Sequence, residues 1–457
     1  MSQPSPIRIQ SVKKRIRDFR EVNLGYARRS VVEEARRCPQ CTQAACREAC
    51  PLGVDIPLFI RFLREGDFPG ALAKIREANP FPEICGRLCP APCEAKCILH
   101  QEGFPIEIRE LERAAHDHGR KRFAFAAAAF RSGPRVAVIG SGLCGLTAAQ
   151  RLAERDFQVT VFESLAMIGG VLRTGIPEFR LPRTLLDHMR SDLRQAGVVF
   201  ENHITVGKNQ GFDDLFQAGY RAILMATGPG GMVIPDMPGI FLRHVYAAEE
   251  VLWQANLLSH ELFKREMADK LKDPVVILGQ TERALDVARL GVRLGRKVEV
   301  VFADIADGLK VHPHDRQQVL DEGIRLRDLT RPIAVVSDEH GSAAGVKCLN
   351  LDYGDPERKG EWHLMPVPES EHVLPAGTVI FADAAFSQTE LRTSFEGLVF
   401  DASGSIRIDP ASGMTDIPGV FAAGTAVCRD ASVVDIIKSC QEAIQKIYAH
   451  LTEGIQT

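Results

Sequence analysis

From Arg135 onward the chain alternates short apolar runs with amphipathic stretches, a rhythm absent before that point. Val136–Ile139 is an apolar run short enough for a buried strand. A Gly-rich turn follows it, then a helical pattern through Leu152 and a second apolar run at Val159–Phe162. The same succession returns after Pro274, with runs at Val275–Leu278 and Val298–Phe302 flanking a turn and a helical pattern to about Leu294. Strands alternating with helices predict parallel sheets, and two such units predict an α/β fold with two doubly wound domains. The segment from about Phe386 reads as a return to the first domain, so the second is expected to be inserted in it. Before Arg135 the spacing predicts helices at Val31–Arg37, Pro57–Glu65 and Ala71–Ala78, broken at Pro51-Leu52-Gly53 and Asn79-Pro80. The Ala-rich stretch Phe123–Phe130 and Ser132-Gly133-Pro134 read as a linker. The expected units are a helical domain over 1–130, a first dinucleotide domain over 134–240 and 386–457, and an inserted domain over 241–385.

Composition narrows the function classes. With 45% hydrophobic and 25% charged residues the chain is ordinary for a globular protein. A net charge of -3 argues against nucleic acid as a main partner. No apolar run is long enough to span a bilayer, and Met1 opens no signal peptide, so direct membrane insertion is not expected. The basic start (Lys13, Lys14, Arg15, Arg17) reads as a solvated helix face rather than a targeting sequence.

Eight of the 12 cysteines lie between Cys38 and Cys97, in two sets. The first is Cys38-x2-Cys41-x4-Cys46-x3-Cys50-Pro51, the second Cys85-x3-Cys89-x3-Cys93-x3-Cys97. Without a secretion signal such a cluster points to metal rather than disulfides, and to a reducing cytoplasm. Close runs of thiolates suit iron–sulfur clusters. Structural zinc competes, but it favours paired knuckles of two ligands each.

Gly140-Ser141-Gly142-Leu143-Cys144-Gly145 follows a strand and opens a helix, and Glu163 ends the next strand. That is a dinucleotide fingerprint: Gly140 turns, Gly142 admits a pyrophosphate, Gly145 packs helix on strand, and Glu163 faces a ribose. FAD is the expected occupant, with Gly170, Thr227 and Gly228 on turns that bring backbone close to it. Cys144 reads as a small core thiol.

The second fingerprint is altered. It reads Gly279-Gln280-Thr281-Glu282-Arg283-Ala284, with Thr281 where the second glycine belongs. A β-carbon there obstructs a pyrophosphate, and Glu282 adds negative charge at the helix N-terminus. Arg283 is a candidate compensating phosphate ligand. Asp304, after the following strand, is placed for a ribose hydroxyl, which favours NAD over NADP.

With these residues in hand, the chain resembles the small (beta) subunit of NADPH-dependent glutamate synthase. It is similar also to the large subunit of ferredoxin–NADP transhydrogenase and the N-terminal half of dihydropyrimidine dehydrogenase. The resemblance covers nearly the whole chain. It is carried by Arg37-Cys38-Pro39-Gln40-Cys41, Cys50-Pro51-Leu52-Gly53, and Gly86-Arg87-Leu88-Cys89-Pro90-Ala91-Pro92-Cys93-Glu94. Gly175-Ile176-Pro177-Glu178-Phe179-Arg180-Leu181-Pro182 and Gly419-Val420-Phe421-Ala422-Ala423-Gly424 extend it.

The resemblance implies a helical iron–sulfur domain followed by the two dinucleotide domains. It also implies FAD and two [4Fe-4S] clusters. One cluster would be held by Cys38, Cys41, Cys46 and Cys97. The other would be held by Cys50, Cys89, Cys93 and Glu112, with Cys85 an alternative to Glu112. It further implies a redox partner subunit, to which electrons pass singly from the flavin through the clusters. Three sites depart from the pattern. Gln280 and Thr281 replace glycines, Ala303 and Asp304 replace arginines, and Gly424-Thr425 replaces Gly-Asp, although the Thr425 hydroxyl can still hydrogen-bond. These changes leave NAD(P)H use open between an altered, NADH-preferring site and a vestigial one. A relay or structural subunit that has lost nicotinamide binding is therefore the competing function. A disulfide reductase is disfavoured, since no cysteine pair is legible beside the flavin.

Overall fold

The computed structural model describes residues 3–120, 131–309, 311–354, 363–383, 385–387, 389–395, 397–429 and 431–453. The Ala-rich stretch Phe123–Phe130 lies outside them.

Short helices build the N-terminal region. Asp55 caps the helix Ile56–Arg64 by accepting from Leu58 N at 3.4 Å, and Asp67 caps Phe68–Ala78 by accepting from Gly70 N at 2.9 Å. Each helix carries a proline in its first turn, where no backbone donor is lost. Their apolar faces supply Phe59, Ile60, Leu63 and Ile75 to a core shared with Leu111 of the helix Ile108–Gly119, and Cys38, Cys46, Cys50 and Cys97 pack at its edge.

In chain order the strands are β1 (Arg135–Ile139), β2 (Gln158–Glu163), β3 (Val199–Asn202), β4 (Tyr220–Met225), β5 (Gly231–Val233), β6 (Val245–Ala247), β7 (Val275–Leu278) and β8 (Val298–Val301). There follow β9 (Arg325–Arg327), β10 (Thr330–Ser337), β11 (Ala343–Tyr353), β12 (Leu364–Pro366), β13 (His372–Pro375), β14 (Thr378–Phe381), β15 (Ala385–Ser387) and β16 (Val420–Ala422). A parallel sheet runs β16-β4-β1-β2-β3, and a second runs β6-β14-β7-β8-β9. The last strand thus returns to the first sheet, beside β4, after the second sheet is complete. Where the chain crosses back, β15 pairs antiparallel with β5, Ala385 opposite Val233.

The second sheet carries an antiparallel addition that the sequence pattern does not announce, in which β11 pairs with β10, β12 and β13. The helix Leu143–Ala153 and the C-terminal helix Val433–Glu453 cover one face of the first sheet. Among the described residues no helix is long and apolar enough to cross a membrane.

The basic start departs from expectation at one residue. Lys13, Lys14 and Arg17 are exposed, but Arg15 is buried, 3.2 Å from Glu322 and 3.1 Å from Asp321. It ties the N-terminus to the inserted domain because a buried guanidinium requires carboxylate partners.

Candidate functional site

Cys38, Cys41, Cys46 and Cys97 line one cavity of about 640 Å³, together with the apolar side chains of Ile56, Ile60 and Ile106. The first three stand around the helix Ala45–Ala49, and Cys97 arrives from the turn after Pro92–Ala95. Burial pushes the Cys46 thiol up to about 11, with Cys38 and Cys97 adding to the rise. Buried thiols of this kind ionise readily only against a metal's positive charge. Among the described residues no three His, Cys, Asp or Glu side chains converge as ligands of a single ion do. The four thiols instead ring a hollow, the arrangement a cage of several irons requires.

The second set lies deeper. Cys85, Cys89 and Cys93 are buried, and Cys50 is half-buried. Burial raises the Cys89 thiol to about 12, and the Glu112 carboxylate and Cys50 push in the same direction. Glu112 raises the thiols of Cys50, Cys85 and Cys93 likewise, so its carboxylate lies within electrostatic reach of all four. Burial lifts that carboxyl to about 7, against the bond of 2.6 Å that Asn79 Nδ2 donates to it. Both Cys85 and Glu112 stand with this set. A second hollow of about 810 Å³, lined by Cys41, Cys50 and Lys438 among others, borders the two sets.

Three turns come together at the C-terminal ends of adjacent strands. Ile139 of β1 pairs with Met225 of β4, which pairs with Ala422 of β16. The fingerprint turn, Ala226-Thr227-Gly228 and Gly424-Thr425 therefore leave the sheet side by side. Gly170 joins them: Gly169 N donates to Ser141 O at 3.1 Å, and a β-carbon on Gly170 would lie 3.0 Å from Gly142 Cα. Glu163 Oε2 accepts from Ser141 N at 3.0 Å and from the Ser141 hydroxyl, which holds the acid against the turn.

A methyl group on Gly142 would meet nothing within 4 Å, whereas one on Gly145 would strike the Gly140 carbonyl. Space is thus kept open at the pyrophosphate position and closed where helix meets strand. The Thr227 hydroxyl is buried with no hydrogen-bond partner among the described residues. This geometry fits FAD: Gly140, Gly142 and Gly145 for its pyrophosphate, Glu163 for ribose, and Thr227, Gly228, Gly424 and Thr425 toward the rest.

Sequence reasoning missed one neighbour of this turn. Cys440, on the C-terminal helix, donates its Sγ proton to the Cys144 carbonyl at 3.1 Å. A cysteine pair does therefore stand beside the turn, but both residues are buried and burial pushes the Cys440 thiol well up. A thiol so placed is a packing group rather than a nucleophile.

The second turn is differently furnished. The Asp383 carboxylate, from the end of β14, accepts from Gln280 N at 2.8 Å and from Thr281 Oγ1 at 2.9 Å. An internal carboxylate from another strand thus lies over the second turn, where Thr281 already places a β-carbon at the pyrophosphate position. Glu282 is neutralised by Arg180 at 3.0 Å, and Arg283 is held by Glu249 at 2.9 Å and by the Ala382 carbonyl at 2.9 Å. The Asp304 carboxylate is turned into its own loop, accepting from Ile305 N at 2.8 Å. Asp383 had no local signal in the sequence, being about a hundred positions from the turn it closes.

Comparison with known proteins matches these two regions separately. The family described as dihydropyrimidine dehydrogenase domain II, 4Fe-4S cluster, matches residues 15–123, and pyridine nucleotide-disulphide oxidoreductase matches residues 134–446. The NADP(+)-dependent formate dehydrogenase subunit beta of Moorella thermoacetica is 30% identical over 90% of this chain, which spans only 60% of that subunit's length. The glutamate synthase [NADPH] small chain of Escherichia coli (strain K12) is 27% identical, covering 97% of this chain and 95% of its own. Among solved structures, Mycobacterium tuberculosis FprA in complex with NADPH shares the fold, with a TM-score of 0.58 at 17% identity over 71% of this chain and 86% of its own. The chain belongs to the pyridine nucleotide-disulphide oxidoreductase family, joined to an N-terminal 4Fe-4S domain, and is similar over nearly its whole length to glutamate synthase small chains.

Proposed function

We infer that this chain is an FAD-dependent electron-transfer oxidoreductase subunit linking a two-electron donor, NAD(P)H in its named relatives, to a redox partner subunit. The observation that carries this reading is a shared core. Cys85 and Cys89 pack in one hydrophobic cluster with Leu143 and Cys144 of the flavin turn. Cys38, Cys41, Cys46 and Cys97 are half-exposed, while Cys85, Cys89 and Cys93 are buried. The order flavin, deep cluster, outer cluster, partner follows. When bound, the flavin and clusters convert paired electrons into single ones.

The chain's residues hold these groups in line. Cys38, Cys41, Cys46 and Cys97 ligate the outer cluster; Cys50, Cys89, Cys93 and Glu112 ligate the deep one. Gly140, Gly142 and Gly145 cradle the flavin's pyrophosphate, and Glu163 accepts its ribose hydroxyls. The working units are 1–130 for the clusters, 134–240 with 386–457 for FAD, and 241–385 for the coenzyme. A reducing cytoplasm suits eight clustered thiols.

Anaerobic titration with NADH and NADPH, following flavin bleaching, tests the reading. Bleaching by either makes the chain a nicotinamide-linked reductase. A second reading is favoured by Asp383 at the second turn: a relay fed by its partner, whose flavin bleaches with dithionite but with neither coenzyme. Absence of both flavin and iron from the purified protein would overturn either version.

A further inference from the structure

The inserted domain keeps a strand, a tight turn and a helix of twelve residues, Glu282–Arg293, yet the Gln280 N–H and the Thr281 hydroxyl of that turn are bonded to a carboxylate. We propose that Asp383 sets the affinity of this domain for dinucleotides, as an internal anion that competes with their pyrophosphate for the second turn. The proposal rests on the reading of residues 241–385 as the coenzyme domain.

At such a turn the backbone N–H groups and the helix dipole attract phosphate oxygens. Here the Gln280 N–H and the Thr281 hydroxyl both point at the two oxygens of Asp383, at 2.8 and 2.9 Å. A β-carbon on Gly279 would itself meet Asp383 Oδ1 at 2.7 Å, so the carboxylate lies flat over the turn. A pyrophosphate entering this position would compete for the Thr281 hydroxyl and meet a charge of its own sign. The nearby cations offer no relief: Arg283 is engaged by Glu249 and Arg180 by Glu282 and Asp286.

Asp383 is exposed and ends a strand at the domain surface, so its side chain can be replaced or displaced without opening the core. A dinucleotide therefore binds when Asp383 leaves the turn, and its affinity is set by that displacement.

The test uses the holoprotein and isothermal titration with ADP-ribose, which carries the adenosine and pyrophosphate but no ring that can reduce the flavin. Wild type, Asp383→Asn and Asp383→Ala are compared, with flavin absorbance and iron content checked in each. Both substitutions are expected to tighten ADP-ribose binding about tenfold or more, the scale of removing one close like charge. Equal affinity in wild type and both variants overturns the proposal, as does failure of all three to bind. The electron-transfer reading is judged separately, by the flavin and iron of the wild type.

Discussion

Gly142 and Gly145 lie three residues apart on one turn, yet a methyl group on each meets opposite surroundings. Gly142→Ala costs the fold at most about 1 kcal/mol, the difference between two helix-capping residues. It places a carbon where the pyrophosphate belongs, so the purified variant should keep its melting temperature when flavin-free and lose most of its flavin absorbance. Gly145→Ala drives into the Gly140 carbonyl and should cost about 3 kcal/mol as overpacking, lowering the melting temperature with or without flavin. Cysteine substitutions divide in a similar way. Cys50→Ala should remove about half the iron while FAD stays bound, since only one of two clusters loses a ligand. Cys85→Ala should leave iron content at the wild-type level; a loss equal to that of Cys50→Ala would give Cys85, not Glu112, the fourth position.

At the scale of elements, the segment Gly175–Pro182 does more than mark a family. Arg180 reaches from the flavin domain to Asp286 at 2.9 Å and Glu282 at 3.0 Å on the helix Glu282–Arg293 of the inserted domain. Phe179 beside it is stacked by Arg293 and Arg289, 4.0 and 4.7 Å from the ring centre. Burial pushes the Asp286 carboxyl up to about 6 even against the pull of Arg180. Arg180→Met strands that carboxylate and should destabilise the protein by about 3 kcal/mol, read as a lower thermal midpoint.

The sequence made the two βα units, the cysteine sets and the order of sheets legible because each rests on residues near one another along the chain. Gly140 through Glu163 carry a turn, a period and an acid within one unit. The antiparallel strands β10 to β13 and the reach of Asp383 to Thr281 depend on pairing between distant segments, which no local period encodes. Arg15 was misread for the same reason: its carboxylate partners stand some three hundred residues away.

Across the whole molecule, the iron–sulfur domain is bound to the inserted domain by a line of charges. Glu94 meets His312 at 3.1 Å, Glu107 meets His314 at 3.0 Å, and Arg109 meets Asp315 at 3.2 Å. The Glu107 bond holds His314 above its usual value, and Glu107 is held below its own by His314 although burial opposes this. A histidine raised on folding adds stability below about pH 6.5 and loses it as pH climbs through the raised value; the depressed Glu107 adds stability above about pH 4.3 and loses it on acidification. The pair therefore works between those limits. His314→Gln should lower the melting temperature at pH 6 and leave it unchanged at pH 9, by no more than about 1 kcal/mol because the imidazole is partly exposed.

The return of β16 to the first sheet bears on how the chain is made. Cysteines 38 to 97 have all left the ribosome before the first dinucleotide strand begins, so the outer and deep thiol sets can be gathered early. The flavin pocket cannot: Gly424 and the helix Val433–Glu453 reach it only from downstream of the inserted domain. Translation thus orders the two sites: the thiol sets are complete before the second sheet exists, and the flavin pocket only after it.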